Sequence, residues 1–202
     1  MFNAHTPAPP DDAGSVKVRI LAAGRSEFAR RGLAAGSVRV IAQQAGVTAA
    51  MINYYFGGKR GLYDAVVADA QERLRAHLAP ALAPGRGGLA ARLAGAYFDF
   101  LAEDRELQRL LMREVLDRGE GVSELAATYV EPLRALFRKH FGADEESKHL
   151  AISVFGAVAG YFLYEPVLGA FLGAEPLSPA ALARRRRHVV RLANLLEELP
   201  RS

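Results

Sequence analysis

The chain of 202 residues contains no cysteine, and its other candidate chemical groups are scattered. The lack of cysteine excludes disulfide bonds, thiolate metal sites and cysteine nucleophiles, and it fits a reducing cytoplasm. The five histidines do not have the spacing of metal ligands. No acid pair or activated nucleophile stands out. We therefore expect no catalytic residue, no metal site and no cofactor, and we expect that the protein is not an enzyme.

The sequence also lacks the patterns of strands and of a signal peptide. No stretch shows the clean alternation of apolar and polar residues that a strand produces, whereas the abundant Ala, Leu, Arg and Glu favour helices. Residues 1–14 have neither a basic start nor an apolar run. We therefore predict an all-α fold preceded by a disordered arm over residues 1–14.

The net charge of +4 is small but unevenly distributed. Residues 1–60 carry a formal charge of +5, and the remainder of the chain carries −1. A basic N-terminal part beside a nearly neutral remainder suggests an anionic partner at the N-terminal end.

Glycine and proline residues divide the chain into about nine predicted helices. Seven of them cover residues 15–31, 38–45, 59–78, 89–102, 106–116, 123–141 and 150–172. The other two are a short helix that is capped by Thr48 and ends at Tyr55, and a last helix that is capped by Ser178 and ends at Leu199. The clearest boundary is formed by Pro80, Pro84 and Gly85–Gly88. We predict a first domain over residues 15–78 and a second over residues 79–202.

Two short predicted helices with a glycine-containing turn lie in the stretch SVRVIAQQAGVTAAMINYYFGGKRGLY, from Ser37 to Tyr63. These are the elements of a helix-turn-helix, whose second helix enters the major groove of DNA. The groove is about 12 Å wide, so the reading face needs small or polar side chains. Such side chains are supplied by Thr48, Ala49, Ala50, Asn53 and Tyr54, while hydroxyls and cations for phosphate contacts are supplied by Arg39, Thr48, Tyr55 and Lys59.

Other interpretations of these residues remain open. Tyr54 and Tyr55 could pack their helix against its neighbours, and Arg39 could be an ordinary solvated charge. Ile52 and Phe56, four residues apart, are expected to point into the core, and Val47 can do so from the turn.

The segment from Lys17 to Ala68 resembles the TetR family of bacterial transcription regulators. The resemblance is carried by Phe28-Ala-Arg-Arg-Gly32, Ser37-Val-Arg39, Ile41-Ala42, Ala45-Gly46-Val47-Thr48, Tyr55-Phe56 and Lys59-Arg-Gly-Leu62. It implies DNA-backbone contacts for Ser37, Arg39, Thr48, Tyr54, Tyr55 and Lys59, and base contacts for Ala49, Ala50, Met51 and Asn53. Two positions depart from the family pattern. Ala49 stands where a basic residue is frequent, and Asn53, which can pair with adenine, stands where an aromatic residue is common.

The apolar segment over residues 150–172 is long enough that a membrane-spanning helix has to be considered. Its uncharged part ends at Tyr164, before Glu165-Pro166, which is shorter than the 18 to 20 residues or so that span a bilayer. A helix that is apolar all round is instead buried on both sides. We therefore expect no membrane partner, and we expect packing against a second subunit. The resemblance implies a homodimer through the last two helices, where Val189, Leu192, Ala193 and Leu196 form a stripe.

The second predicted domain contains side chains suited to a small-molecule site, since such sites combine apolar walls with a few polar groups. The candidate ligand-binding residues are Tyr97, Leu101, Met112, Arg113, Tyr129, Leu133, Phe155, Tyr161 and Glu165. Any one of them is more often an ordinary core residue, and the exceptions are Arg113 and Glu165, each of which is a charge flanked by apolar neighbours.

The leading hypothesis is a cytoplasmic regulator, in this family usually a repressor, with a helix-turn-helix head of three helices and a helical ligand-binding and dimerisation domain. Its expected partners are duplex DNA with a palindromic operator, an unknown small-molecule effector and a second copy of the chain. One alternative is a helical small-molecule-binding protein with a vestigial head. Another is an architectural DNA binder without a ligand response.

Overall fold

The computed structural model describes residues 10–117, 138 and 144–198. All regular elements among these residues are helices, which confirms the predicted all-α class for the described part of the chain. The chain divides into two compact units. The first unit holds the described residues up to Ala70 together with Arg109–Glu114, and the second holds Gln71–Gln108 and the described residues from Val115 onward.

The first unit begins with four helices: α1 (Pro10–Ala35), α2 (Val38–Ala45), α3 (Ala49–Phe56) and α4 (Lys59–Leu78), of which α4 runs on past Ala70. Their apolar faces meet in a core centred on Phe28, whose ring packs edge-on against Tyr63 at 5.1 Å. Other fully or almost fully buried core residues are Val16, Ile20, Ala29, Ile41, Ala42, Ala45, Ile52, Leu62, Val66, Val67 and Ala70. The predicted bounds of α2 and α4 are confirmed.

Helix α1 differs from the prediction at both ends. It begins at Pro10, so residues 10–14 are helical and the predicted arm over residues 1–14 is wrong there. Proline is well suited to the first turn of a helix, where the amide that it lacks would have no partner inside the helix. The helix does not stop at residue 31 as predicted, because Gly32 is a kink with φ 72° and ψ 178°, after which helical turns continue to Ala35. That conformation is accessible essentially only to glycine.

The second unit contains the short 3-10 helix Ala79–Leu82, the largely buried helix α5 (Leu89–Glu103), and both ends of α6 (Arg105–Asp117), whose middle belongs to the first unit. It continues with α7 (Glu145–Leu163), α8 (Glu165–Leu172) and α9 (Pro179–Glu198). The helix predicted over residues 123–141 lies outside the described residues, apart from Arg138. Asp104, which lies in the gap between the helices predicted over residues 89–102 and 106–116, separates α5 from α6.

The first turn of α5 is capped by side chains of α9. The Gly88 amide donates to Asn194 Oδ1 at 3.2 Å, and the Leu89 and Ala90 amides donate to the two Glu197 carboxylate oxygens at 3.2 and 3.0 Å. Farther along, Arg186 donates two hydrogen bonds to the Asp99 carboxylate at 2.6 and 2.7 Å. The contacts of Asn194 and Glu197 supply acceptors for amides that a helix start leaves unpaired. Together with the Arg186–Asp99 pair, they hold α9 along α5.

The apolar segment over residues 150–172 breaks at Tyr164, where α7 ends and α8 begins. Tyr161, one turn before the break, donates from its hydroxyl to the Pro176 carbonyl at 2.5 Å. The Arg185 guanidinium of α9 lies 5.2 Å from the Tyr161 ring centroid and donates to the Ala157 carbonyl at 2.6 Å. These interactions fix α7 against α9 and the loop before it.

Among the described residues, no single helix is long and apolar enough to cross a membrane. Helices α7 and α8 meet the length and composition criterion only as a pair, and they are bent by 81° relative to each other.

Candidate nucleic-acid interface

The start of α2 is fixed by a buried carboxylate of α1. Glu27 is fully buried, and its Oε1 accepts from the Ser37 amide at 3.1 Å, while its Oε2 accepts from Arg30 at 2.7 Å. Arg31 Nε lies 3.5 Å from Oε1. Ser37 in turn caps α2, because its hydroxyl accepts from the Val40 amide at 3.4 Å. The predicted DNA-contact residue Ser37 is thus held at both its amide and its hydroxyl.

The surroundings of Glu27 favour its charged form. Burial by itself raises the pKa of this carboxyl, but hydrogen bonds from Arg30 and the Ser37 amide and the charges of Arg31 and Arg30 outweigh burial, so that its pKa lies below the ordinary value. Glu27 therefore carries its negative charge at neutral pH inside the first unit.

The turn between α2 and α3 has the geometry expected of a helix-turn-helix. Gly46 ends α2 in the left-handed conformation at φ 65°, as glycine does at many helix ends. Arg19 of α1 donates to the Ala45 carbonyl at 3.1 Å, which satisfies a group that the end of α2 leaves free. Thr48 then caps α3, with its hydroxyl accepting from the Met51 amide at 3.4 Å. The predicted cap residue Thr48 is confirmed.

Helix α3 presents one face to the core and the opposite face to solvent. Ile52 is fully buried, and at about 100° per residue Ala50 and Tyr54 lie opposite it. One flank of the outer face carries Asn53 and Ala49, and the other flank carries Met51 and Tyr55. The predicted base-reading residues Ala49, Ala50 and Asn53 are exposed, and Met51 is half-buried.

The two adjacent tyrosines of α3 have different surroundings. The Tyr54 side chain is 83% exposed, so it is not part of the core. Its ring meets that of half-buried Tyr55 edge-on at 5.0 Å. Lys17 Nζ of α1 lies 5.7 Å from the Tyr55 ring centroid, which places a cation beside the outer face of α3.

The predicted phosphate-contacting cations differ in their availability. Arg39, on α2, is exposed. Lys59 Nζ donates to the Ala34 carbonyl at 2.8 Å, so one of its three donors is already used within the chain. This contact ties the start of α4 to the end of α1 and leaves two donors on Lys59.

The turn between α3 and α4 depends on glycine. Gly57 and Gly58 have φ values of 70° and 108°. A Cβ on Gly61 would lie only 1.8 Å from the Phe56 carbonyl oxygen, so the backbones of α3 and α4 approach more closely here than any side chain permits. Phe56 itself is half-buried, less than its predicted core position implies.

Four contributors to this surface were not predicted from the sequence. They are Glu27, Arg19, Lys17 and Gly61, which act through contacts with residues distant in sequence or, for Gly61, through close backbone approach. The sequence signal for Glu27 is that it is the one acidic residue in the otherwise basic segment over residues 15–60.

The predicted ligand-binding residues are distributed over both units. Met112 and Arg113 belong to the first unit, in which Arg113 donates to the Arg30 carbonyl at 3.3 Å. The others that the structure describes belong to the second unit. Tyr129 and Leu133 lie outside the described residues.

Within the second unit, Tyr97 stacks on Phe155, with ring centroids 5.4 Å apart and planes at 15°. Burial raises the pKa of the Tyr97 hydroxyl, which therefore remains a donor at neutral pH. Leu101 is fully buried, and Tyr161 is buried with its hydroxyl bonded to Pro176. Glu165 pairs with Arg105 at 3.4 Å.

In the part of the chain that the structure describes, no group of three or more His, Cys, Asp or Glu side chains is arranged to hold a metal ion.

Comparison with known proteins identifies the first unit and the fold. Residues 20–66 match the family model of bacterial regulatory proteins, tetR family. The probable HTH-type transcriptional regulator YttP of Bacillus subtilis is 30% identical over 128 residues, which span 61% of this chain and 62% of YttP. The chain thus matches less than two thirds of the length of this curated relative.

Solved structures extend the likeness in fold to almost the whole chain. A TetR-like transcriptional regulator from Rhodococcus sp. RHA1 has a TM-score of 0.67 at 19% identity, with 93% of this chain and 96% of that chain covered. SCO4942 from Streptomyces coelicolor has a TM-score of 0.69 at 23% identity, with 92% and 99% covered. Residues 20–66 are thus similar to the bacterial regulatory proteins of the tetR family, and the chain shares its fold with TetR-like regulators of known structure.

Proposed function

We propose that the protein is a DNA-binding transcriptional regulator of the cytoplasm, a repressor that a small molecule releases from its operator. The observation that carries the DNA-binding part is the outer face of α3. It is exposed, free of acidic residues and centred on Ala50 and Tyr54, and it follows a glycine turn in helix-turn-helix geometry. A helix of this kind fits the major groove.

We assign the predicted contact residues to two roles. Ser37, Arg39, Thr48, Tyr54, Tyr55 and Lys59 contact the phosphate backbone, and Ala49, Ala50, Met51 and Asn53 face the bases. The exposure of Arg39, Ala49, Ala50, Asn53 and Tyr54 supports this assignment. Phosphate contacts set position and affinity, whereas contacts with base edges carry the sequence information.

The proposed effector site lies in the second unit, near the stacked pair Tyr97 and Phe155. Support comes from half-buried Tyr97, which brings a hydroxyl to an otherwise apolar stacked pair with Phe155, because small-molecule sites combine apolar walls with a few polar groups. An effector releases DNA only if it binds better to the form that does not bind DNA. An effector whose release of DNA is abolished by Tyr97→Ala would identify this site.

The protein is proposed to act as a homodimer that reads two half-sites about 34–36 Å apart. Large apolar side chains are exposed on α7, on α8 and at the break between them, namely Ile152, Tyr164, Val167 and Phe171. The stripe predicted on the last helix differs, because Val189 and Ala193 are buried within the unit. The proposed contact therefore centres on α7 and α8, and on α9 it includes Leu195, which is 57% exposed.

The decisive experiment measures DNA affinity against salt concentration. Fragments selected by the purified protein from its own genome are titrated by fluorescence anisotropy between about 50 and 200 mM salt. The logarithm of affinity should fall linearly with the logarithm of salt, with a slope of about −0.9 per phosphate contact. Arg39→Ala should make that slope shallower by about 1 for each bound subunit.

Arg86→Ala is the matched control, because it removes the same charge from an exposed loop position of the second unit. It should leave both slope and affinity unchanged. Affinity that does not depend on salt, or equal effects of the two arginine variants, would contradict the proposed interface.

A further inference from the structure

Asn53 has a free amide on the flank of the exposed face of α3. Its side chain is exposed, and within the described residues it makes no hydrogen bond. It lies beside the turn into α4, since a Cβ on Gly58 would be 3.4 Å from Asn53 Oδ1. An exposed amide with unused donors and acceptor is available to an external partner.

The side chains preceding Asn53 on α3 leave its amide accessible. Ala49 and Ala50, four and three residues before it, are exposed and carry only methyl groups. A short side chain such as Asn reaches a base edge only if the helix lies deep in the groove, and small neighbours permit that depth.

The composition of α3 restricts which base can be read. From Ala49 to Phe56 it contains no Arg, Lys, Asp or Glu. The usual bidentate partners of guanine, Arg and Lys, and the acids that accept from cytosine are therefore absent from this helix. Asn53 is its only carboxamide, and Asn pairs bidentately with adenine through N6 and N7.

Building on the proposed function, we propose that Asn53 reads an adenine in each half-site from the major groove. Asn53 Oδ1 accepts from the adenine N6 amino group, and Asn53 Nδ2 donates to adenine N7. An A·T pair is therefore the principal base pair that α3 specifies.

The test uses the full chain and its selected duplex. Each adenine of the site is replaced in turn by 7-deazaadenine, which lacks the N7 acceptor, or by purine, which lacks the N6 amino group. For the unmodified protein, one adenine per half-site should be sensitive to both replacements, with affinity falling about 5- to 150-fold. For Asn53→Ala, the same replacements should have little further effect.

Asn53→Asp provides an isosteric variant. It keeps the shape and the acceptor but removes the amide donor that adenine N7 requires, so selection from random duplexes should no longer enrich adenine at that position. Because the added charge also weakens affinity, the readout is base preference, and melting temperatures confirm that both variants are folded.

The failure of this inference can be distinguished from that of the proposed function. Sequence-specific binding without an Asn53-dependent adenine would overturn the adenine contact alone. If the unmodified protein binds no duplex, the proposed function and this inference both fail.

Discussion

Glu27 illustrates how a single side chain positions the proposed DNA-binding surface. Within the described residues it is the one charged residue that is fully buried. Its carboxylate joins α1 to the start of α2 through the Ser37 amide, and it is also bonded to Arg30 of α1. Because Ser37 begins the helix-turn-helix, loss of this carboxylate is expected to affect the surface although Glu27 itself does not face DNA.

We expect Glu27→Gln to destabilise the protein by about 1–3 kcal/mol, as hydrogen bonds to a charged group are lost in a buried site. Arg30 and Arg31 are more than half exposed, so water continues to solvate their charges and the loss stays in this range. Urea unfolding at neutral pH measures the difference. DNA affinity should fall together with stability.

The effect of Glu27→Gln should depend on pH in one direction. The pKa of Glu27 is lower in the folded chain than in the unfolded one, so its contribution is present above the unfolded pKa of about 4.3 and is lost as the pH falls through the folded pKa. The difference in unfolding free energy between the parent and Glu27→Gln should therefore become smaller at acidic pH. Glu72→Gln, at an exposed pair with Arg75, is the control and should leave unfolding unchanged. A gap that widens in acid would contradict this account.

At the level of the elements, the orientation of α3 depends on its contact with α4. Gly61 lies so near the Phe56 carbonyl that a Cβ would be 1.8 Å from the oxygen. The oxygen belongs to the main chain of α3 and Gly61 to that of α4, so no flexible side chain is available to move aside. The outer face of α3 is therefore set by a backbone contact on its other side.

Gly61→Ala should force α3 and α4 apart and destabilise the protein by about 1–3 kcal/mol, the usual cost of overpacking, with weaker DNA binding. Gly14→Ala is the control in the same unit, because a Cβ there meets nothing within 4 Å. It should be neutral or stabilise by up to about 1 kcal/mol, since alanine favours helix. Thermal unfolding of both variants is the measurement, and equal melting temperatures would show that the close approach is not required.

Helices with strong local signals were predicted closely, and contacts between distant residues were not. Ser37, Gly46 and Thr48 mark their helix ends through bonds within three or four residues, which a sequence pattern reveals. The beginning of α1 at Pro10 was not predicted because residues 10–14 carry no apolar run that would mark a helix. The burial of Val189 within the second unit was missed because an apolar stripe does not show which surface covers it.

For the molecule as a whole, the main unexplained feature is the apolar surface of the second unit. Ile152 is 66% exposed and Phe171 is 83% exposed, and Tyr164 and Val167 lie between them in sequence. Exposed large apolar side chains commonly mark a protein contact where they form a patch. A second copy of the chain is the proposed partner.

We expect the protein to sediment as a dimer, and we expect Ile152→Arg and Phe171→Arg each to shift it towards monomer because an unpaired charge would be buried at the contact. Val18→Arg, at a residue of α1 that is 65% exposed, is the matched control and should leave the mass unchanged. A monomeric parent, or dimers retained in both α7 and α8 variants, would refute the proposed contact.

The caps of α2 and α5 differ in how far along the chain their partners lie, which bears on folding during synthesis. The Ser37 amide is satisfied by Glu27, ten residues earlier. The first amides of α5 instead depend on Asn194 and Glu197, which follow them by 106 to 108 residues. At about 5–20 residues per second, a ribosome needs roughly 5–20 s to bridge that interval. During this time water alone can solvate the start of α5, so the second unit reaches its final helix ends only after α9 has been translated.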